Sequence, residues 1–90
     1  MFEHEVFGKI DVEKPLKQRH VEGFWEALRE AELTKHSHIY NDGKVVAIAC
    51  EVGILKEKID VPDSDPAMIN WLAQEIVEYV NKAREVPEKN

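Results

Sequence analysis

The C-terminal third of the chain constrains the fold most, because its apolar residues repeat with the period of an amphipathic helix. A rotation of about 100° per residue brings six of them onto one face. They are Ile69, Leu72, Ala73, Ile76, Val80 and Ala83. Asp65 followed by Pro66 is typical of an N-cap and a first helical turn. The pattern predicts a helix over residues 66–84 and a loose end over residues 85–90.

Trp71 departs from that apolar stripe, since it falls nearly opposite, beside Glu75 and Lys82. A large aromatic side chain on a charged face is more common where another protein binds than where only water does. We therefore predict a partner-binding surface centred on Trp71, with Met68 and Tyr79 on its flank. The alternative is that the N-terminal strand or the chain end folds over the indole and buries it.

Length and composition limit the classes of protein. Ninety residues can build only one hydrophobic core, so we predict a single domain over residues 1–90. The formal net charge of −6 opposes binding to phosphate backbones, so nucleic acid is not expected as a partner. The single cysteine, Cys50, excludes an internal disulfide framework and favours a cytoplasmic location. No signal peptide or long apolar run is present, so no membrane contact is expected.

The first segment, residues 1–13, is predicted to be a β element. Apolar and charged residues alternate over most of it, and a period of two is typical of a half-buried strand. Phe7 breaks the alternation and Gly8 follows it. The segment is therefore either one strand or two short strands that fold back at Phe7 and Gly8.

The second segment returns to helical spacing and predicts a helix over residues 16–33. The apolar residues that carry this spacing are Val21, Phe24, Trp25 and Leu28. Two starts of this helix fit the sequence. Pro15 suits a first helical position, whereas Leu16 could instead pack against the first turn with Lys17 as a poor cap.

Residues 36–55 fit two templates. As a helix, the segment would begin at an Asn41 or Asp42 cap and end at Gly53 in a Schellman motif. As a hairpin, it would turn at residues 41–43 and place apolar residues at alternate positions of a second strand. The two caps and the alanines favour the helix.

These segments predict a small α+β domain in which an N-terminal strand or hairpin packs with two or three helices. The alternative order is β-α-β-β-α, with a central hairpin in place of the middle helix. A short acidic connection over residues 59–65 leads to the last helix.

His36 and His38 are the clearest candidates for chemistry. In a strand, residues two apart point to the same side, as two ligands of a zinc ion require. His4, His20 or Cys50 could complete the ligand shell. A zinc site needs three or four ligands, and no CxxC or HExxH motif accompanies the pair. No cofactor is therefore expected, and a zinc-binding protein is an alternative hypothesis.

Catalytic residues are not evident in the sequence. Cys50 lies in an apolar run, which is typical of a buried and unreactive thiol. The chain has no glycine-rich phosphate loop, and its carboxylates are spread over predicted solvated faces. We therefore expect a protein that is not an enzyme.

Lys14, Lys17 and Arg19 cluster where the first helix is predicted to start. The helix dipole prefers negative charge there, so the cluster conflicts with it. Cations and free backbone N–H groups would point the same way, which makes these residues a candidate site for an anion or an acidic partner. A regulator that binds an acidic partner is accordingly a further hypothesis.

The order of segments along most of the chain carries a family resemblance. The segments are a short β start, Lys14-Pro15-Leu16-Lys17, Ala49 to Leu55, Trp71 to Ile76, and Val86-Pro87. This order resembles small tailed-phage or prophage accessory proteins of the tail-assembly-chaperone type. The resemblance implies a non-enzymatic helper that binds another structural protein during particle assembly, and it implies no particular functional residues. With Trp71 and the open β element, it leads us to predict a protein-protein interaction or assembly module that binds a partner or itself as a homo-oligomer.

Overall fold

The computed structural model describes residues 1–86. Its elements are the strands β1 (Phe2–His4) and β2 (Gly8–Ile10) and the helices α1 (Gln18–Glu30), α2 (His38–Val52) and α3 (Pro66–Lys82). Short 3₁₀ turns, Leu33–Lys35 and Val61–Asp63, precede α2 and α3. The predicted α+β class is confirmed, with a hairpin and three helices.

The N-terminal segment folds back as a hairpin, so the single-strand alternative is wrong. β1 and β2 are antiparallel, with His4 opposite Gly8. The reversal occurs over residues 5–7, slightly earlier than predicted, because the Nδ1 atom of His4 accepts the backbone N–H groups of Val6 and Phe7 at 3.0 and 3.4 Å. Gly8 follows with a φ of 82°, which glycine adopts without strain.

Beyond the hairpin, the chain pairs with the segment that follows α2. Val12 forms an antiparallel bridge with Leu55, and both side chains are buried. The backbone N–H of Glu13 donates to the carbonyl of Ile54 at 2.8 Å. These contacts fix the N-terminal segment against the core.

Helix α1 is shorter than the predicted range of 16–33. Lys17 has an extended backbone and caps the helix, and its N–H donates to Nδ1 of the buried His20 at 2.9 Å. The position of this cap excludes Pro15 as the first helical residue. The helix ends early because Glu32 takes a left-handed conformation with φ of 50°.

The middle segment is a helix, so the predicted alternative with a central hairpin is wrong. Its start also differs from the prediction, which placed the cap at Asn41 or Asp42. Ser37 is the cap instead, because its Oγ accepts the backbone N–H of Tyr40 at 3.2 Å. Asn41 and Asp42 therefore lie within the helix.

The end of α2 agrees with the prediction. Gly53 adopts φ of 87°, and its N–H donates to the carbonyl of Cys50. The N–H of Ile54 donates to the carbonyl of Ala49 at 2.9 Å, which completes a Schellman motif. The Ile54 side chain is fully buried, so this ending also anchors the chain in the core.

Helix α3 starts where predicted and stops two residues before the predicted end. The Oδ1 atom of Asp65 accepts the N–H of Ala67 at 2.8 Å, and Pro66 occupies the first turn. Of the predicted loose end, residues 87–90 lie outside the described residues. Within residues 1–86, no helix combines the length and the apolar character needed to cross a membrane.

The core lies where the hairpin and all three helices meet. Phe24 of α1, Val46 of α2, and Leu72 and Ile76 of α3 have no exposed surface. Glycine at position 23 allows α1 and α2 to approach closely, since a Cβ atom there would lie 3.2 Å from the side chain of Val52. The predicted apolar stripe of α3 is buried from Ile69 to Val80 and packs mainly against α2. Ala83, which was predicted to belong to the stripe, follows the helix and is exposed.

Candidate functional site

Trp71 does not project freely into solvent. Its indole is half-buried, with ring centroids 5.1 Å from His4 and 6.0 Å from Phe7. The expectation of an outward indole is therefore wrong, and the alternative in which the N-terminal β element folds over it is the arrangement observed. A role of Trp71 in partner binding stays a prediction.

Tyr79 and Met68 also pack against their own chain. The Tyr79 hydroxyl donates to the backbone carbonyl of Glu13, and its ring meets Phe2 edge-on at 5.6 Å. Desolvation by burial, with a smaller contribution from the Glu13 carboxylate, raises the pKa of Tyr79. Met68 is half-buried against the core. Tyr79 thus links α3 to the N-terminal segment through its contacts with Glu13 and Phe2.

His36 and His38 are both exposed, and they do not lie on a strand. His36 precedes the cap of α2 and stacks on Tyr40, with ring centroids 4.1 Å apart, whereas His38 is the first residue of the helix. The strand geometry that motivated a zinc pair is therefore wrong. Among residues 1–86, no group of three or more His, Cys, Asp and Glu side chains is placed to hold a metal ion.

The other residues considered as zinc ligands have different surroundings. His20 is buried and accepts the hydrogen bond that begins α1. The Sγ atom of Cys50 donates to the carbonyl of Glu57 at 3.6 Å. His4 holds the hairpin turn. All three side chains therefore have structural roles.

Lys14, Lys17 and Arg19 are exposed around the start of α1, as predicted. None of them forms an ion pair with another described residue. The backbone N–H of Lys17 is already used by His20. The cluster is a solvated basic turn, and its binding of an anion or acidic partner stays a prediction.

The sequence did not indicate an open groove of about 570 Å³ that lies between the start of α2 and the second half of α3. We call this surface the α2–α3 groove. Its floor consists of Val45, Ala73 and Val77. Val45 and Ala73 are buried in the core, whereas Val77 is half-buried. Of the three floor residues, Val77 is therefore the one most accessible from the groove.

Polar and charged side chains form the rims of the α2–α3 groove. They are Asn41 and Asp42 on α2, and Gln74, Glu78, Asn81, Lys82 and Glu85 on or just after α3. The Nζ atom of Lys82 lies 3.1 Å from the Glu78 carboxylate. Three carboxylates against one ammonium make the rims negative, and no histidine, hydroxyl or thiol lies among the described lining residues.

The α3 side of the groove follows from helical spacing. Its helical residues recur at intervals of three and four from position 74 to position 82, so they occupy one strip of the helix beside the buried stripe. Val77 was the available sequence signal, since it is an apolar residue within this otherwise polar strip. The part of α2 that lies opposite this strip depends on tertiary packing. The sequence pattern of either helix alone does not predict it.

Asn41 adds an unusual feature at the α2 rim. Its Oδ1 atom is buried and accepts no hydrogen bond from any described residue. An unpaired buried acceptor costs about 1–3 kcal/mol. The Nε1 atom of Trp25, outside the groove, is the other buried side-chain atom without a partner among the described residues.

No family model, curated protein or solved structure matches this chain. The candidate site therefore depends on the geometry described above.

Proposed function

We propose that this protein is a non-enzymatic protein-binding module and that the α2–α3 groove is its contact surface. The observation that supports this most is the groove between α2 and α3, in which the half-buried Val77 lies beside the buried Val45 and Ala73. An apolar centre inside polar rims is the usual anatomy of a protein-protein interface. Grooves between helices commonly receive a segment of another protein.

The chemistry of the lining favours binding over catalysis. The described lining residues supply carboxylates, amides, one amine and aliphatic groups. Nucleophilic catalysis by a side chain usually needs a hydroxyl, thiol or activated amine beside a base. Lys82, the single amine, is paired with Glu78 on an exposed rim.

The proposed role agrees with the resemblance to phage accessory proteins, which implies a helper that binds a structural protein during assembly. It also agrees with a cytoplasmic location, which a lone unpaired cysteine favours. Self-association is the competing mode of binding, and Ile39 and Tyr40 on the first turn of α2 are exposed apolar groups available for it.

The test uses one substitution in the groove and one outside it. Val77→Arg places a charge on the half-buried groove floor, and Val6→Arg places the same charge on the exposed hairpin turn. Peptides are selected against the wild-type chain from a random display library, and their dissociation constants are then measured with each variant. We expect Val77→Arg to weaken binding at least about tenfold. Val6→Arg should change it less than about twofold.

Circular dichroism of both variants serves as the control for folding. If the selected peptides bind Val77→Arg as tightly as the wild type, the groove is not the contact surface. If Val77→Arg unfolds, cross-linking of the selected peptides to the wild-type chain decides the question. Cross-links confined to residues outside the groove would then contradict the proposal.

A further inference from the structure

We infer that the occupant of the α2–α3 groove is a basic amphipathic helix of a partner protein, with an apolar face toward the floor and lysine or arginine toward the rims. This inference rests on the proposed function, because it names the partner of the same surface. Two features support it, the shape of the groove and the charge of its rims.

The shape favours a helix. The groove is walled by two helices, and a third helix can place its side-chain ridges between them. On α3 the lining extends from Ala73 to Lys82, a span of about 14 Å at 1.5 Å per residue. That span corresponds to about two and a half turns of a partner helix, with apolar residues at positions i, i+3, i+4 and i+7.

The charge favours a basic partner. Lys82 is already paired with Glu78, so the rims keep an excess of carboxylate from Asp42 and Glu85. Asp42 accepts a hydrogen bond from the neutral amide of Asn70 at 3.0 Å, and this contact does not cancel its charge. The whole chain also carries a formal net charge of −6, which would attract a basic segment from a distance.

Asn41 fits the same partner. Its side-chain oxygen lacks a donor among the described residues, and it stands on the α2 rim. Rotation of the amide toward the groove would let a lysine or arginine of the partner supply that donor. An occupied groove would then satisfy an acceptor that is unpaired in the free protein.

The test uses three fluorescent helical peptides of about 14 residues, or four turns. All share one leucine pattern, and their polar positions are filled with lysine, glutamine or glutamate. Fluorescence anisotropy measures their binding to the full chain. We expect the lysine peptide to bind at least about tenfold more tightly than the glutamate peptide, and with marked salt dependence.

Two matched double variants separate the charge of the groove from the charge of the whole protein. Glu78→Gln with Glu85→Gln removes two groove carboxylates, one of them paired with Lys82. Glu26→Gln with Glu30→Gln removes two exposed carboxylates of α1, one of them paired with Arg29. We expect the groove variant to weaken the lysine peptide about fivefold and the α1 variant to weaken it less than about twofold.

The outcomes distinguish this inference from the proposed function. Equal binding of the three peptides, absence of binding by the lysine peptide, or equal effects of the two double variants would overturn the basic partner. Binding of any peptide that Val77→Arg abolishes would still support the groove as a contact surface. A dimer in sedimentation analysis that Val77→Arg dissociates would replace the partner helix with a second copy of the chain.

Discussion

At the scale of single residues, Tyr79 shows how one side chain joins distant parts of the chain. Its hydroxyl donates to the carbonyl of Glu13, and its ring contacts Phe2 in β1. Burial of the phenol, reinforced by the Glu13 carboxylate, raises its pKa. The neutral phenol is therefore the form that the folded chain favours.

Tyr79→Phe is expected to lower the free energy of unfolding by about 1 kcal/mol near pH 7, because one hydrogen bond is lost. The raised pKa of Tyr79 sets the pH dependence. The hydroxyl contributes fully below the unfolded-state pKa of about 10, and its contribution is lost as the pH rises through the higher folded-state pKa. Urea unfolding of both proteins from neutral pH to above pH 10 measures this. A constant difference between them across the range would contradict the assignment.

Replacement of Asn41 is expected to change the free energy of unfolding in the opposite direction. Asn41→Leu removes the unpaired Oδ1 atom, so the free energy of unfolding should rise by about 1 kcal/mol. Asn81→Leu is the matched control, since Asn81 lines the same groove but is exposed. Denaturant unfolding compares the two variants. Equal free energies of unfolding of the two variants would mean that the Asn41 oxygen does not destabilise the fold.

At the scale of elements, strong local signals predicted one helix start and one helix end, those of α3 and α2. Asp65 before Pro66 and Gly53 before Ile54 are unambiguous, and the structure has both caps as predicted. The start of α2 was mispredicted because Asn41 and Asp42, four and five residues after Ser37, are also good caps. Several competing caps within a few residues leave the choice to tertiary packing.

Ser37→Ala tests the start of α2. Loss of the Oγ acceptor for the N–H of Tyr40 should cost about 1 kcal/mol of unfolding free energy. Thr34→Ala is the control, because Thr34 is exposed in the preceding 3₁₀ turn and caps no helix there. The two variants are compared by thermal unfolding under one set of conditions. If the helix began near Asn41, Ser37→Ala would change the unfolding temperature as little as the control does.

At the scale of the whole molecule, the sequence predicted the α+β class, the buried stripe of α3 and the helical middle segment. It did not predict how the elements meet. Trp71 lies off the stripe of its own helix, and only the position of the hairpin, with His4 and Phe7 over the indole, shows why it is half-buried. The α2–α3 groove likewise needs the relative placement of two helices, which neither helical pattern contains.

The fold of the whole molecule distinguishes the predicted aromatic patch from the α2–α3 groove. Met68, Trp71 and Tyr79 were predicted as one partner-binding patch, but Trp71 meets residues near the hairpin turn, whereas Tyr79 contacts the start of β1 and Glu13. Trp71 and Tyr79 are also about 12 Å apart along α3. The groove instead brings residues of two helices around one apolar floor. The α2–α3 groove is therefore the surface at which we propose that a partner binds.

A map of backbone amide chemical shifts in the ¹⁵N-labelled chain, recorded with and without the lysine peptide, would locate the contact surface. We predict that the changes concentrate at Val45, Val77 and Asn81, while amides near Trp71 and the hairpin turn stay unchanged. Changes centred on Trp71 and Phe7, with none at the groove residues, would contradict binding at the groove and place the contact surface beside the indole.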